Sequence, residues 1–106
     1  MIKKNKVLII AEIGPNHGGS IKKASYMVKK IAQTGVDVVK FQLGIPEKVY
    51  SKNAFKAQYQ IKNDKSKSIL EMSKKNQISK KNHLILNKLC KKLKLKYACS
   101  AFDFDS

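Results

Sequence analysis

The apolar positions of this chain fall into a strand, helix, strand rhythm that begins at its N-terminus. Val7-Leu8-Ile9-Ile10 runs on through Ala11 to Glu12 and Ile13 with no polar residue before Glu12. An unbroken apolar run predicts a strand over Lys6 to Ile13 that is buried on both faces, as in a parallel sheet. Gly14-Pro15-Asn16-His17-Gly18-Gly19 then breaks the chain, and Ser20 is a good helix N-cap. Ile21, Ala24, Val28 and Ile31 recur at helical spacing, Gly35 supplies a stop, and Val36 to Gln42 reads as a second strand. This order is a βαβ unit.

From Leu43 to about Lys65 the pattern lapses into a long irregular stretch holding Gly44, Pro46, Asn53, Tyr59 and Gln60. Structureless loops beyond about 15 residues are uncommon in compact domains and are usually functional or disordered. A short apolar helix follows over Ser68 to Ser73. Ser79 then caps a longer one carrying Leu84, Ile85, Leu89 and Leu93, and Lys96 to Phe102 reads as a third strand. The rhythm predicts an α/β fold with a parallel sheet and right-handed crossovers. Three parallel strands leave two open edges and two faces to cover. A complete (β/α)8 barrel takes about 250 residues. Residues 1–106 therefore read as the N-terminal portion of such a TIM barrel, two βα units and a third strand, incomplete by itself.

Charge changes this picture little. The net charge is +16, carried by 23 basic residues that are all Lys, with no Arg. Arg is the usual bidentate reader of phosphates and guanine edges. The lysines are also spread along the chain without an aromatic-lined patch, so no nucleic-acid partner is expected. An AT-rich coding sequence accounts for the Lys, Asn and Ile bias. The apolar N-terminal run is too short for a secretory signal or a membrane span. Cys90 and Cys99 make no metal-binding spacing, and free buried thiols fit a reducing cytoplasm.

The candidate chemistry lies at the strand ends, where parallel α/β folds place their sites. The first strand ends in Glu12, followed by Asn16 and His17. The second ends in Lys40 and Gln42, and the third in Ser100, followed by Asp103. Alternation puts Lys40 and Gln42 on one face with Val36 and Val38, and Ser100 on one face with Ala98. A lysine and a hydroxyl suit a phosphate or carboxylate. A carboxylate beside a lysine can position or activate a water or hydroxyl. Gln and Asn suit sugar hydroxyls and amides. The bland alternatives are a structural ion pair between Glu12 and Lys40, a turn-forming Ser100 and a loop-shaping His17.

The succession IAEIGPNHGGS, GVDVVKFQ, AQYQ, SILEM and CSAFDFDS resembles the N-acetylneuraminate (sialic acid) synthase family, which includes legionaminic and pseudaminic acid synthases. The resemblance runs from Ile9 to Ser106. It implies a (β/α)8 barrel and the condensation of phosphoenolpyruvate with an N-acetylated amino sugar, with release of phosphate. A divalent metal, Mn2+ or Mg2+, is implied for the full-length enzyme. Its histidine ligands come from later strands, so no metal ligand is expected in this chain. Carried over by motif, Glu12 is the acid near the sugar aldehyde, Lys40 the phosphoenolpyruvate-binding lysine and Gln42 a sugar contact. Ser100 matches a position near the phosphate, and Asn16 and His17 match an Asn-His pair after the first strand. Asn63 or Asp64 is a further sugar contact, and the long stretch is the segment that closes over the sugar. Ala101 stands where many members have Pro. A cytoplasmic homodimer is implied for the full-length protein, and an inactive fragment for this chain alone. The alternatives are another phosphoenolpyruvate-dependent sugar-acid aldol synthase, which would carry a KAS-type lysine strand, or a non-enzymatic phosphate- or nucleotide-binding α/β module. The latter would use the Gly14–Gly19 turn, yet neither GxGxxG nor GxxxxGK[ST] is present.

Overall fold

The computed structural model describes residues 6–51, 56–63 and 68–106. Three parallel strands, β1 (Ile10–Glu12), β2 (Val38–Leu43) and β3 (Lys96–Ala101), form one sheet in that order. Helix α1 (Ile21–Ile31) connects β1 to β2. Four helices lie between β2 and β3: α2 (Pro46–Val49), α3 (Gln58–Asn63), α4 (Ile69–Lys75) and α5 (Lys80–Lys92). Glu12 is in register with Lys40, and Gln42 with Ser100. The α/β class and the parallel topology thus agree with the sequence pattern.

The helices start where their caps predict. Ser20, Ser68 and Ser79 each accept a backbone N–H three residues on, from Lys23, Glu71 and Asn82. Gly35, at φ 81°, ends the 3₁₀ turn that follows α1. Helices α1 and α5 pack together on one face of the sheet. Ala24, Val28, Leu86 and Cys90 meet Ile13, Val39 and Phe41 there, all essentially inaccessible to solvent. The opposite face carries Glu12, Lys40, Gln42 and Ser100.

The first strand and Cys99 depart from the sequence expectations. The first strand is neither as long nor as buried as its apolar run suggests: Val7 is 80% exposed and Ile10 49%. β1 is the sheet edge, and no strand among the described residues pairs with its outer side. Asp37 supports the chain just before it, taking the Ile9 N–H on its carboxylate at 2.9 Å and donating its own N–H to the Ile9 carbonyl. On α5, Leu84 and Ile85 point outward, and the buried stripe is His83, Leu86 and Cys90. Leu89 and Leu93 pack against the same core, half-buried, beside this stripe. Cys90 is buried as expected, whereas Cys99, on the opposite edge strand, is exposed; both thiols are free.

The stretch from Leu43 to Lys65 is not structureless over its described part. Leu43 belongs to β2, Pro46 at the first turn opens α2, and α3 follows. Polar ties hold this segment to the rest. Lys74 pairs with Glu47 at 2.6 Å, Lys48 pairs with Asp105, and Asp103 accepts the Ile45 N–H at 2.7 Å.

Candidate active site

β1 and β2 run side by side, so the register alone places Glu12 beside Lys40. The Lys40 Nζ lies 2.6 Å from the Glu12 Oε2, and the Gln42 Nε2 is 3.4 Å from the Glu12 Oε1. The two charged side chains are 41% and 33% exposed, Glu12 the more so. A pair this open contributes little to stability, about 0–1 kcal/mol, and stays available to another anion or hydroxyl. Gly14 allows the turn to pass close above the acid. It sits at φ 51°, and a Cβ there would lie 3.4 Å from the Glu12 Oε1 and 3.5 Å from the Gln42 Nε2. Ser100 stands beside Gln42 on β3, half-buried on the same face. A cation, an acid, an amide and a hydroxyl therefore share one surface.

The turn residues behave differently. Asn16 folds its side chain back, donating from Nδ2 to the Ile13 carbonyl at 2.7 Å while its backbone N–H reaches the same oxygen. His17 is 2% exposed and lies on the helix side of the sheet, its ring centroid 6.2 Å from that of Phe41. Its Nδ1 accepts the Gly19 N–H at 2.9 Å. Burial, and then the nearby Lys23, lowers its pKa, which keeps the ring neutral and able to accept. A substrate contact for His17, one sequence expectation, is not available in this arrangement; the ring shapes the turn. His83 closes the same aromatic group, 6.0 Å from Phe41, with its Nδ1 2.6 Å from the Tyr97 hydroxyl.

Asn63 is the last residue of α3 and is exposed. Asp64 lies outside the described residues. Gln60, one turn earlier, lines a cavity of about 310 Å³ that opens beside Gln42. Sequence reasoning missed this cavity, since α2, α4 and the residue after β3 build it together. Met72 closes the SILEM motif, but Ser73 and Asn76 carried no motif, and only helical spacing placed the three on one side of the α4 segment. Asp103 turns out to be a structural latch. Its carboxylate takes the Ile45 N–H and both the N–H and hydroxyl of Ser106. Those contacts, the Ile45 bond foremost, hold its pKa below the usual carboxylate value.

Among the described residues no three His, Cys, Asp or Glu side chains converge as a metal site. His17 and His83 are committed to the helix-side core. The groups present do not fit a metal centre of their own.

The NeuB family model matches residues 27–106. The chain belongs to the NeuB family. The N,N'-diacetyllegionaminic acid synthase of Campylobacter jejuni is 38% identical over 104 residues, 95% of this chain and 30% of that protein. Its counterpart from Legionella pneumophila is 34% identical over 99 residues, 92% of this chain and 28% of that protein. A crystal structure of the N-acetylneuraminic acid synthetase of Leptospira borgpetersenii, in complex with citrate, superposes with a TM-score of 0.78. It is 28% identical, and the match covers 95% of this chain and 31% of that one. This NeuB chain thus spans under a third of the length of these relatives, and it matches their N-terminal part. The family and the three-stranded parallel sheet bear out the resemblance read from the motifs. No helix among the described residues is long and apolar enough to cross a membrane.

Proposed function

We propose that this chain provides the first three strands of a sialic-acid-type synthase. The reaction joins phosphoenolpyruvate to an N-acetylated amino sugar, giving a nonulosonic acid and phosphate. The observation that carries this reading is the Glu12, Lys40 and Gln42 cluster at adjacent strand ends in a NeuB-family chain. In the condensation a bond forms between the phosphoenolpyruvate CH2 carbon and the sugar aldehyde carbon. A water oxygen adds at the enol carbon, and phosphate leaves.

Each residue has a task in that scheme. The Lys40 ammonium binds the phosphate or carboxylate of phosphoenolpyruvate, with the Ser100 hydroxyl assisting. Glu12, held 2.6 Å from Lys40, orients the aldehyde and accepts a proton from an attacking water. Gln42 spans acid and sugar with a donor and an acceptor on one side chain. Asn16 and His17 act indirectly, by fixing the turn above Glu12. Asn63, the exposed last residue of α3, is a further sugar contact in this reading. The metal of the complete enzyme would be held by residues outside those described. The complete protein is a cytoplasmic homodimer in this reading, and catalysis needs more than this chain.

The deciding experiment measures phosphate release from phosphoenolpyruvate by the full-length protein that carries this segment. Lys40→Ala is expected to abolish release. Turnover equal to wild type would remove Lys40 from the reaction.

A further inference from the structure

Gln42 is held from one side only. The last hydrogen bond from β1 to β2 is donated by the Ile13 N–H to the Lys40 carbonyl, at 2.9 Å. Beyond Lys40 the strand is paired with β3 alone among the described residues. That pairing soon runs out: Leu43 is in register with Ala101, and the Phe102 N–H reaches the Leu43 carbonyl at 3.0 Å. The next rung is made by a side chain, since the Ile45 N–H donates to the Asp103 Oδ2 at 2.7 Å. The same carboxylate is oriented by Ser106, whose N–H donates to Oδ1 at 2.9 Å and whose hydroxyl donates to Oδ2 at 2.8 Å. An aspartate is ionised at neutral pH, so these bonds are charge-assisted and stronger than neutral ones. Gly44 lets the two chains close up here: a Cβ on it would lie 3.4 Å from the Phe102 Cβ and 3.7 Å from the Asp103 Oδ2. The neighbouring Lys48–Asp105 pair ties α2 to the same tail, but both its side chains are more than half exposed, so it adds little.

We propose that Asp103 is a positioning residue for the sugar, acting through Ile45 on Gln42. Its carboxylate extends the β2–β3 ladder past the last backbone rung and fixes the end of β2 from which Gln42 projects. Gln42 is in register with Ser100, and its Nε2 lies 3.4 Å from the Glu12 Oε1, so this bond sets the distance between amide and acid. Lys40 does not depend on it, because its backbone is paired with both β1 and β3. Loss of the Asp103 bond therefore frays β2 from its end inward and reaches the sugar contact before the phosphoenolpyruvate contact. This inference rests on the synthase reading of Gln42 and Lys40, and it adds a residue that touches neither substrate.

The test measures phosphate release by the full-length protein that carries this segment, varying phosphoenolpyruvate and an N-acetylated 2-amino-2-deoxyhexose in turn. Asp103→Ala is expected to raise the KM for the sugar about tenfold, while that for phosphoenolpyruvate stays within about twofold. Asp103→Asn keeps an oxygen for the Ile45 N–H and is expected to bring the sugar KM back to within about twofold of wild type. Ile45→Pro removes the same bond from the donor's side, so it gives the same split even if Asp103→Ala does not fold. A merely structural loss lowers the active fraction, and with it kcat, but leaves KM where it was. A sugar KM unchanged in both Asp103→Ala and Ile45→Pro, or raised equally with that for phosphoenolpyruvate, would overturn the positioning role and leave the synthase reading standing. No phosphate release by the wild-type enzyme with any N-acetylated amino sugar would overturn both.

Discussion

Replacing Gly19 by Ala tests how the turn after β1 is held against the rest of the protein. Gly19 has φ 81°, and a Cβ there would fall 2.4 Å from the Lys75 carbonyl oxygen and 3.2 Å from that of Gln77. Two penalties therefore combine. The left-handed backbone costs a non-glycine residue about 1–2 kcal/mol. Forcing a methyl against backbone, which cannot rotate aside as a side chain does, costs about 1–3 kcal/mol more. The sum, about 2–5 kcal/mol, is a large part of a typical domain's stability. Gly18 supplies the control, because its φ is 59° but a Cβ there meets nothing within 4 Å. Gly18→Ala should show the backbone term alone. Urea unfolding of the two variants, followed by circular dichroism, gives the difference directly. Equal destabilisation by the two substitutions would show that the turn does not press on the end of α4, and would refute the packing argument.

Two further outcomes follow from the aromatic core. Burial lowers the pKa of both His17 and His83 below the ordinary 6.5, so the unfolded chain binds protons that the folded one refuses. Their contribution is intact above pH 6.5 and is lost as the pH falls below it toward the folded values. The urea midpoint should drop between pH 7.5 and pH 5, and drop less in His17→Gln; the same slope in wild type and variant would remove His17 from the effect. Tyr97→Phe takes the hydroxyl 2.6 Å from the His83 Nδ1, and the other ring nitrogen, Nε2, already has no partner among the described residues. Leaving Nδ1 unpaired as well should cost about 1–3 kcal/mol, and an unchanged unfolding midpoint would contradict it.

The parts of the fold that local chemistry dictates were legible in the sequence. The capping serines, Gly35 and the β-branched run before Lys40 each gave the correct element, because their effect is complete within a few residues. Alternation placed Lys40 and Gln42 on one face, and the parallel register brought Glu12 to them. What escaped depends on partners distant in the chain. On α5, Leu84 and Ile85 are exposed while His83 is buried, because the sheet it packs on decides which face the helix turns inward. The direction of His17 depends on Phe41, which lies on the next strand. The cavity beside Gln42 required α4 to pack near α2, and nothing in either segment announces the other.

The strand order has a consequence for how the reacting groups keep their positions. β2 is the central strand, so the backbone around Lys40 is paired with β1 on one side and β3 on the other, whereas Gln42 is in register with β3 alone. Glu12 stands on β1, an edge strand of three residues paired on one side among those described. The lysine is thus the fixed datum of the site and the acid its adjustable member. A strand added along the outer edge of β1 would reposition the acid's backbone while leaving that of the lysine in place.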